Sequence, residues 1–200
     1  MIAIVDYGAG NLTSVANALA YLKIEAVVTA EPKILQKADK IYLPGVGRFA
    51  ATMQALDSLG LTEPLKAEIA RGKPYLGVCL GLQILFEQSR EDPDTPGLGI
   101  LKGGVRRFAG KLKIPQIGWN SVSFKNKNAL FDGIPDASYF YFVHSYYVAP
   151  KEKDIVLCTT TYGTTFCSGA AKGNIFAVQF HPERSGKSGL QLIRNFAEKC

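Results

Sequence analysis

The residues of this chain best suited to covalent chemistry are one cysteine and one histidine. Cys79 stands between Gly77 and Gly81, directly after an apolar run, and His181 is followed two residues later by Glu183. A thiolate is a strong nucleophile, an imidazole can accept and return a proton, and a carboxylate can orient that imidazole. The sequence therefore predicts a nucleophilic site built from Cys79, His181 and Glu183.

The elements on either side of Cys79 predict a sharp turn from strand to helix. Residues 74–78 have the composition of a short buried strand, and residues 80–88 have the apolar spacing of a helix. Glycines two positions before and after the cysteine permit such a turn, because a β-carbon there would collide with neighbouring backbone. Free N–H groups at the start of the helix would favour the thiolate, and the amide of Leu80 can face a developing oxyanion.

A small buried cysteine with no chemical role is the alternative interpretation, since free cysteine is among the most buried residue types. The pair His181 and Glu183 argues against it. In an extended segment, which Pro182 would support, the two side chains point to the same side. The other histidine, His144, lies in an aromatic strand with no carboxylate nearby in sequence, and we interpret it as a core residue.

Length and composition indicate one soluble domain spanning residues 1–200. The chain has 200 residues, of which 47% are hydrophobic and 20% charged, which is ordinary for a globular enzyme. It shows neither a secretory signal nor an apolar run long enough to span a membrane, so we expect a cytoplasmic protein without membrane association. Its four cysteines form no C-x-x-C pair, and we predict no disulfide framework, no metal site and no cofactor.

The formal net charge of +6 does not by itself indicate a nucleic-acid-binding protein. Basic residues are scattered along the chain instead of forming one arm or motif. The densest basic segment, residues 102–113, is interpreted as a solvated face or as part of a contact with a more acidic partner protein. We therefore expect no nucleic-acid partner.

The first half of the chain alternates predicted strands with helices, which is typical of a parallel sheet covered by helices. The predicted strands are 2–6, 26–29, 41–43 and 74–78, and the predicted helices are 12–22, 34–38 and segments through residue 71. Ligands of such sheets bind at the carboxyl ends of the strands. The loops 8–11 and 44–47 are therefore expected to converge with Cys79. Loop 8–11 is not a dinucleotide fingerprint, since Thr13 stands where that motif needs glycine.

The second half of the chain is richer in β-strand patterns and predicts antiparallel pairing. The predicted strands are 105–108, 121–124, 139–148, 155–161 and the hairpin 167–171 with 175–180, followed by a helix at 188–199. The hairpin would deliver His181 at a strand end. Residues 91–99, rich in proline and glycine, are expected to form a surface loop, and a lid is the alternative.

Several short motifs together resemble a known family over the whole chain. The segments 77–83 and 181–183 are similar to those of the class I (triad) glutamine amidotransferases. The resemblance implies a flavodoxin-like α/β fold with a mixed, mainly parallel central sheet flanked by helices and additional antiparallel strands. Within that class, the chain resembles the glutaminase subunits of imidazole glycerol phosphate synthase. The segments that carry this second resemblance are 6–11, 44–47, 118–120, 141–146 and 181–186. Leu82 and Gln116 depart from that pattern.

The resemblance implies an activity and a set of site residues. Cys79, His181 and Glu183 would hydrolyse L-glutamine to glutamate and ammonia through a cysteine thioester. Backbone amides near Val46 and Leu80 would form the oxyanion hole. The positions that match substrate-binding residues of the family are Gly47, Gln83, Ser145 and Tyr146.

The resemblance also implies a partner, a (β/α)₈-barrel cyclase subunit that would receive the ammonia in a heterodimer. That subunit would use it to make imidazole glycerol phosphate and AICAR in histidine biosynthesis. In this family the glutaminase is nearly silent until the cyclase binds its ligand, an effect attributed to the turn at 44–47. The positions that match the docking face are Asn11, Trp119, Tyr141 and Arg184. For Trp119, ordinary packing is the alternative.

Three other functions remain open from the sequence. The chain could be the glutaminase subunit of a different amidotransferase. It could be a stand-alone cysteine hydrolase of γ-glutamyl compounds, which would turn over without a partner. It could also be an inactive amidotransferase-like binding module, against which the intact cysteine, histidine and glutamate argue.

Overall fold

A computed structural model describes residues 1–110 and 112–200 of the chain. The strands are β1 (Ile2–Val5), β2 (Ala26–Thr29), β3 (Lys40–Leu43), β4 (Tyr75–Val78), β5 (Phe86–Ser89), β6 (Leu101–Arg107), β7 (Gln116–Ser121), β8 (Ser123–Phe124), β9 (Tyr139–His144), β10 (Tyr146–Pro150), β11 (Val156–Tyr162), β12 (Thr164–Lys172) and β13 (Ile175–Val178). The helices are α1 (Leu12–Tyr21), α2 (Pro32–Lys37), α3 (Phe49–Ser58), α4 (Thr62–Ala70), α5 (Leu80–Gln83) and α6 (Gly186–Lys199). Two 3-10 turns occupy Ala129–Phe131 and Pro182–Arg184.

Five strands in the order β2-β1-β3-β4-β13 form the parallel part of the main sheet. β1, β4 and β13 are buried at all four positions. Apolar residues along the whole strand are what a parallel strand covered on both faces requires. Because these strands run the same way, the turns after β3, β4 and β13 all open at the same edge of the sheet. That edge carries the turn 44–47, Cys79 and the segment leading to His181.

The main sheet continues with β12, β10, β6 and β5, and here most pairings are antiparallel. β5 pairs with β6 in parallel, and β11 joins β12 on one side and β8 on the other. β7 and β9 form a separate antiparallel ribbon, which runs from the pair Gln116 and His144 to the pair Ser121 and Tyr139. The ribbon ends where the chain enters β10 of the main sheet.

The core has two parts, one on each face of the parallel strands. Successive side chains of a strand point to opposite faces of the sheet and so enter different parts of the core. In β3, Ile41 and Leu43 belong to one cluster and Tyr42 to the other. The first cluster is covered by α2, α3 and α4, and the second by α1 and α6. α1 and α6 also pack against the 3-10 turn Pro182–Arg184. The helices that close the second core thus also support the segment that follows His181.

The predicted α/β fold is confirmed, with its parallel first half, antiparallel second half and flanking helices. The hairpin between β12 and β13 is also confirmed, as are most predicted strands and helices to within a few residues. Within the described residues, no helix is both long and apolar enough to cross a membrane.

Two predicted elements are wrong. The helix expected at 80–88 ends at Gln83, and residues from Phe86 onward form β5 instead. Here the pairing of Phe86 with Leu101 of β6 overrides a helical apolar spacing, which a short buried strand can imitate. The single strand expected at 139–148 is interrupted at Ser145. Its two parts, β9 and β10, pair with different partners in different sheets.

Candidate active site

Cys79 occupies a strained turn between β4 and α5. Its φ of 56° and ψ of −103° lie in a region that residues with a β-carbon rarely adopt. Its backbone is held on both sides, since its N–H donates to the carbonyl of Val178 at 2.8 Å and its carbonyl accepts from Leu82 and Gln83. The predicted nucleophile turn is therefore present. α5 is only one turn long, however, so the helix dipole invoked from sequence is small.

The two glycines flanking Cys79 are required by close backbone packing. A β-carbon on Gly81 would lie 2.2 Å from the carbonyl oxygen of Leu43, and one on Gly77 would lie 2.3 Å from the carbonyl oxygen of Gly81. A β-carbon on Gly45 would lie 2.6 Å from the β-carbon of Leu80. The turn 44–47 therefore packs directly against Leu80, the residue that follows Cys79.

Glu183 lies beside His181, but not through the extended segment predicted from the sequence. His181 itself is extended, whereas Pro182–Arg184 forms a 3-10 turn. The turn brings Oε1 of Glu183 to 2.8 Å from Nδ1 of His181, and both side chains are almost completely buried. Ser185 closes the turn by donating its hydroxyl to the carbonyl of His181 at 2.6 Å. The carboxylate can thus fix the orientation of the imidazole.

Two opposing effects set the charge of His181. Burial disfavours its imidazolium form, but interactions with Cys79 and Glu183 outweigh burial and raise the pKa of His181 from 6.5 to about 10. Cys79 therefore lies beside the imidazole, although Nε2 makes no hydrogen bond of standard geometry within the described residues. Because the folded protein binds the His181 proton more tightly than the unfolded chain does, His181 adds to the free energy of unfolding. This contribution is fully present below pH 6.5 and is lost as the pH rises towards about 10.

A cavity of about 280 Å³ opens over Cys79 at the carboxyl edge of the sheet. The structure brings the predicted oxyanion and substrate-binding positions together around it: Val46, Gly47, Leu80, Gln83, Ser145 and Tyr146. His181 and Glu183 do not line the cavity. The volume suits a small polar molecule of amino-acid size, with Cys79 in the wall of the cavity.

His144, which the sequence indicated only as a core residue, also lines this cavity. It is buried among aromatic rings, as expected of a core residue, and Phe108 and Phe142 are two of them. Its Nδ1 lies 2.7 Å from the carbonyl of Tyr146. Because a carbonyl only accepts, Nδ1 carries the proton and Nε2 is a buried acceptor with no partner among the described residues. The sequence signal for this location is that His144 directly precedes Ser145, a predicted substrate-binding residue.

His144 should make the protein less stable in mild acid. Burial lowers its pKa from 6.5 to about 4, so the unfolded chain binds a proton between these pH values and the folded chain does not. The contribution of neutral His144 to the free energy of unfolding is therefore fully present above pH 6.5. It falls by about 2 kcal/mol when the pH is lowered to 5. We expect the difference in urea-unfolding free energy between pH 7 and pH 5 to shrink by that amount in His144→Gln. An undiminished difference in that variant would contradict a neutral buried His144.

The loop 91–99, expected at the surface, is fastened to the start of α3. The Glu91 carboxylate accepts from the backbone N–H of Phe49 at 2.9 Å, and that of Asp92 accepts from Ala50 at 3.0 Å. Arg48 also donates to Asp92 at 3.2 Å. Glu91 lines the cavity over Cys79. The loop therefore borders the site, and α3 begins directly after the turn 44–47.

The four predicted docking residues occupy exposed or half-buried positions near the 3-10 turn Pro182–Arg184. The ring of Trp119, 55% exposed, meets that of Tyr141 edge to face at 6.2 Å. The guanidinium of Arg184 stacks 4.3 Å above the Tyr141 ring. Asn11 caps α1, with its side chain accepting from the N–H of Ser14. Gln116, which departs from the family pattern, is buried in β7.

The other three cysteines do not line this cavity, and Cys200, which follows α6, has its thiol pKa raised to about 11 mainly by burial. Cys158 and Cys167 are buried in β11 and β12, and burial raises the pKa of both thiols, that of Cys167 to about 12. The described residues contain no cluster of three or more His, Cys, Asp or Glu side chains that could hold a metal ion. Of the basic segment 102–113, Lys111 lies outside the described residues.

Comparison with known proteins points to one family. The family described as glutamine amidotransferase class-I matches residues 3–200. "Imidazole glycerol phosphate synthase subunit HisH" of Chlorobaculum tepidum is 50% identical over 200 residues, covering 99% of this chain and 100% of that protein. "Imidazole glycerol phosphate synthase subunit HisH 1" of Methanococcus maripaludis is 48% identical over 202 residues, covering 99% of both.

Solved structures show the same fold at lower identity. A crystal structure described as that of a glutamine amidotransferase has a TM-score of 0.78 at 20% identity, covering 99% of this chain and 98% of that one. The structure of PurLQS from Thermotoga maritima has a TM-score of 0.73 at 19% identity, covering 98% of this chain and 96% of that one. The chain therefore belongs to the class-I glutamine amidotransferases, a family of enzymes, and within it to the HisH subunits of imidazole glycerol phosphate synthase.

Proposed function

We propose that this chain hydrolyses L-glutamine at Cys79 and delivers the ammonia to a cyclase subunit bound on its surface. The observation that carries the proposal is the position of Cys79, in the wall of a cavity with the buried His181–Glu183 pair behind it. Residues 1–200 would act as one domain of a cytoplasmic heterodimer, without a cofactor.

The chemistry follows from the positions of Cys79, His181 and Glu183 and from the raised pKa of His181. The Cys79 thiolate attacks the side-chain amide carbon of glutamine, and the C–N bond breaks as protonated His181 donates a proton to the departing ammonia. A glutamyl thioester remains on the sulfur. His181, now neutral, takes a proton from water as the water attacks the thioester. Glutamate leaves, and the thiolate and imidazolium are restored, with Glu183 orienting the ring throughout.

Two backbone amides would stabilise the oxyanion formed in each half of the reaction. Leu80 is the first residue of α5, so its N–H has no partner within the helix. Val46 lines the same cavity, and the contact between Gly45 and Leu80 holds the two loops together. One such donor is typically worth about 10²–10³ in rate. A change in the orientation of the turn 44–47 would therefore suffice to switch the activity when the cyclase binds its ligand.

Substrate selection would come from groups that line the cavity. Gly47 and Ser145 offer backbone and hydroxyl groups, while Gln83 and Tyr146 close the side nearest the main sheet. The cavity admits an amino acid and little more. We propose that these four residues hold the α-amino and α-carboxylate groups of glutamine.

The need for a partner follows from the product. Ammonia released into water at neutral pH is mostly protonated and no longer nucleophilic, so direct transfer to an acceptor enzyme is advantageous. The (β/α)₈-barrel cyclase would use it to form imidazole glycerol phosphate and AICAR in histidine biosynthesis. The word "subunit" in the names of the relatives supports an assembly. Asn11, Trp119, Tyr141 and Arg184 would form the docking face.

The experiment that tests this function is a glutaminase assay of the purified chain, alone and mixed with the cyclase of the same source and its nucleotide ligand. We expect weak activity alone and strong stimulation in the complete mixture. Vigorous activity that the cyclase leaves unchanged would favour a stand-alone γ-glutamyl hydrolase. Inactivity in both mixtures would favour a different acceptor or an inactive module.

Replacing Trp119 by alanine should weaken the complex with the cyclase by about 2 kcal/mol, or roughly 30-fold in Kd. Its half-exposed ring, packed on Tyr141, is suited to anchor an interface because a partner could bury it at little cost in side-chain order. Isothermal titration calorimetry would measure the change. The matched control is Leu59→Ala, which removes an exposed apolar side chain at the end of α3. Equal affinities for the two variants would place docking elsewhere.

A further inference from the structure

Gln179 is a buried amide that contacts the nucleophile and that the mechanism above does not use. It follows β13 directly and is completely buried. Its Nε2 lies 3.4 Å from Sγ of Cys79, within hydrogen-bonding distance for sulfur. Neither the spacing nor the motifs of the sequence drew attention to it. It lies between β13, which pairs with the strand β4 that precedes Cys79, and His181, the proposed acid.

The orientation of the Gln179 amide is fixed by a chain of hydrogen bonds that begins at the main sheet. Nε2 of Gln83 donates to the backbone carbonyl of Tyr146 at 3.2 Å and to Oε1 of Gln179 at 3.1 Å. A carbonyl can only accept, so the amine end of Gln83 must face it. The oxygen of Gln179 must then face Gln83, because the opposite orientation would set two amine groups against each other. The amine end of Gln179 therefore faces the sulfur.

We propose that Gln179 is a further catalytic residue, donating a hydrogen bond to the Cys79 thiolate, and that Gln83 is its positioning residue. This rests on the proposed role of Cys79 as nucleophile. An N–H donor beside the sulfur stabilises the anion and not the neutral thiol, and hydrogen bonds to charged groups are the stronger kind. The amide thus acts beside His181 as a second group that can stabilise the anionic sulfur. The same hydrogen bond also fixes the position of the sulfur in the cavity wall between turnovers.

The test is alkylation of the chain alone by iodoacetamide as a function of pH, with mass spectrometry of the Cys79 peptide as readout. Neither glutamine nor the cyclase is needed, so the result is independent of glutaminase activity. Gln179→Met keeps the length of the side chain and removes the donor. We expect its profile to be displaced upward by about one pH unit, so that alkylation is about tenfold slower on the rising limb of the profile, with the high-pH plateau unchanged. Gln83→Met should shift the profile in the same direction by less.

The control is Gln54→Met on the exposed side of α3, which should reproduce the wild-type profile. A wild-type profile in a folded Gln179→Met variant would overturn the proposal, and so would equal slowing at every pH, since that reports lost access. If Gln179→Met does not fold, the same pH profile of Cys79 alkylation is measured for Gln83→Met. An unshifted profile in that variant overturns the proposal. Failure of wild-type Cys79 to react at any pH would instead overturn the proposed function itself.

Discussion

Replacing Cys79 by alanine is expected to abolish glutamine hydrolysis, with a loss of at least about 10⁴-fold in the stimulated complex. No other thiol lines the cavity, since those of Cys158 and Cys167 are buried in β11 and β12 and that of Cys200 lies after α6, so His181 then has no thiol to serve. Alanine retains the β-carbon, so the strained turn and the surrounding packing should survive. Glutaminase turnover in the presence of the cyclase and its ligand measures the effect.

The same variant separates hydrolysis from synthesis. With the cyclase and added ammonium salt, Cys79→Ala should make imidazole glycerol phosphate at the rate of the wild-type complex, because the proposed function assigns the acceptor chemistry to the other subunit. Its affinity for the cyclase should also be unchanged. Loss of ammonia-dependent synthesis would contradict this division of labour, and hydrolysis at the wild-type rate would remove Cys79 from the mechanism.

The second large effect concerns stability. Gly81→Ala should cost more than about 4 kcal/mol or prevent folding, because the new β-carbon would lie 2.2 Å from the carbonyl oxygen of Leu43. That oxygen belongs to β3, which lies between β1 and β4 in the parallel part of the sheet and cannot move aside. Urea unfolding at pH 7, followed by circular dichroism, measures the loss.

Gly60→Ala is the control for this steric argument. Gly60 follows α3 with a φ of +64°, and nothing lies within 4 Å of a β-carbon placed there. Alanine at this position should cost only the strain of a left-handed conformation, about 1 kcal/mol. If the two variants were equally destabilised, the close approach of Gly81 to β3 would not be the reason for glycine at the nucleophile turn.

Local patterns predicted the parts of the site that depend on a few neighbouring residues. The glycines around Cys79 predicted a tight turn because only the absence of a β-carbon permits that backbone path, and the packing of Gly77 and Gly81 shows this requirement. The apolar four-residue strands predicted a covered parallel sheet, whose strand ends meet at one edge. From this we predicted that the loops 8–11 and 44–47 converge with Cys79. The turn 44–47 does border the cavity over Cys79, whereas residues 8–11 do not line it.

Predictions failed where pairing partners distant in sequence decided the backbone. Residues 80–88 have helical spacing, yet Phe86 pairs with Leu101 and turns the second half into a strand. The aromatic run 139–148 has no local signal for its interruption at Ser145, which arises because β9 and β10 join different sheets. The contact between His181 and Glu183 was expected from alternation along an extended segment, whereas a 3-10 turn produces it.

By itself, the sequence determined the family and the α/β class, and it predicted which side chains would act as nucleophile, base and orienting carboxylate. These depend on residue types at short spacing, which local sterics and acid–base chemistry constrain. Only the tertiary structure decided that Gln179 contacts Cys79 and that His144 lines the cavity. Both are ordinary residues in apolar strands as far as the sequence shows. They acquire their roles because the sheet brings residues about a hundred positions apart to one buried edge, where an amide or imidazole must find a partner.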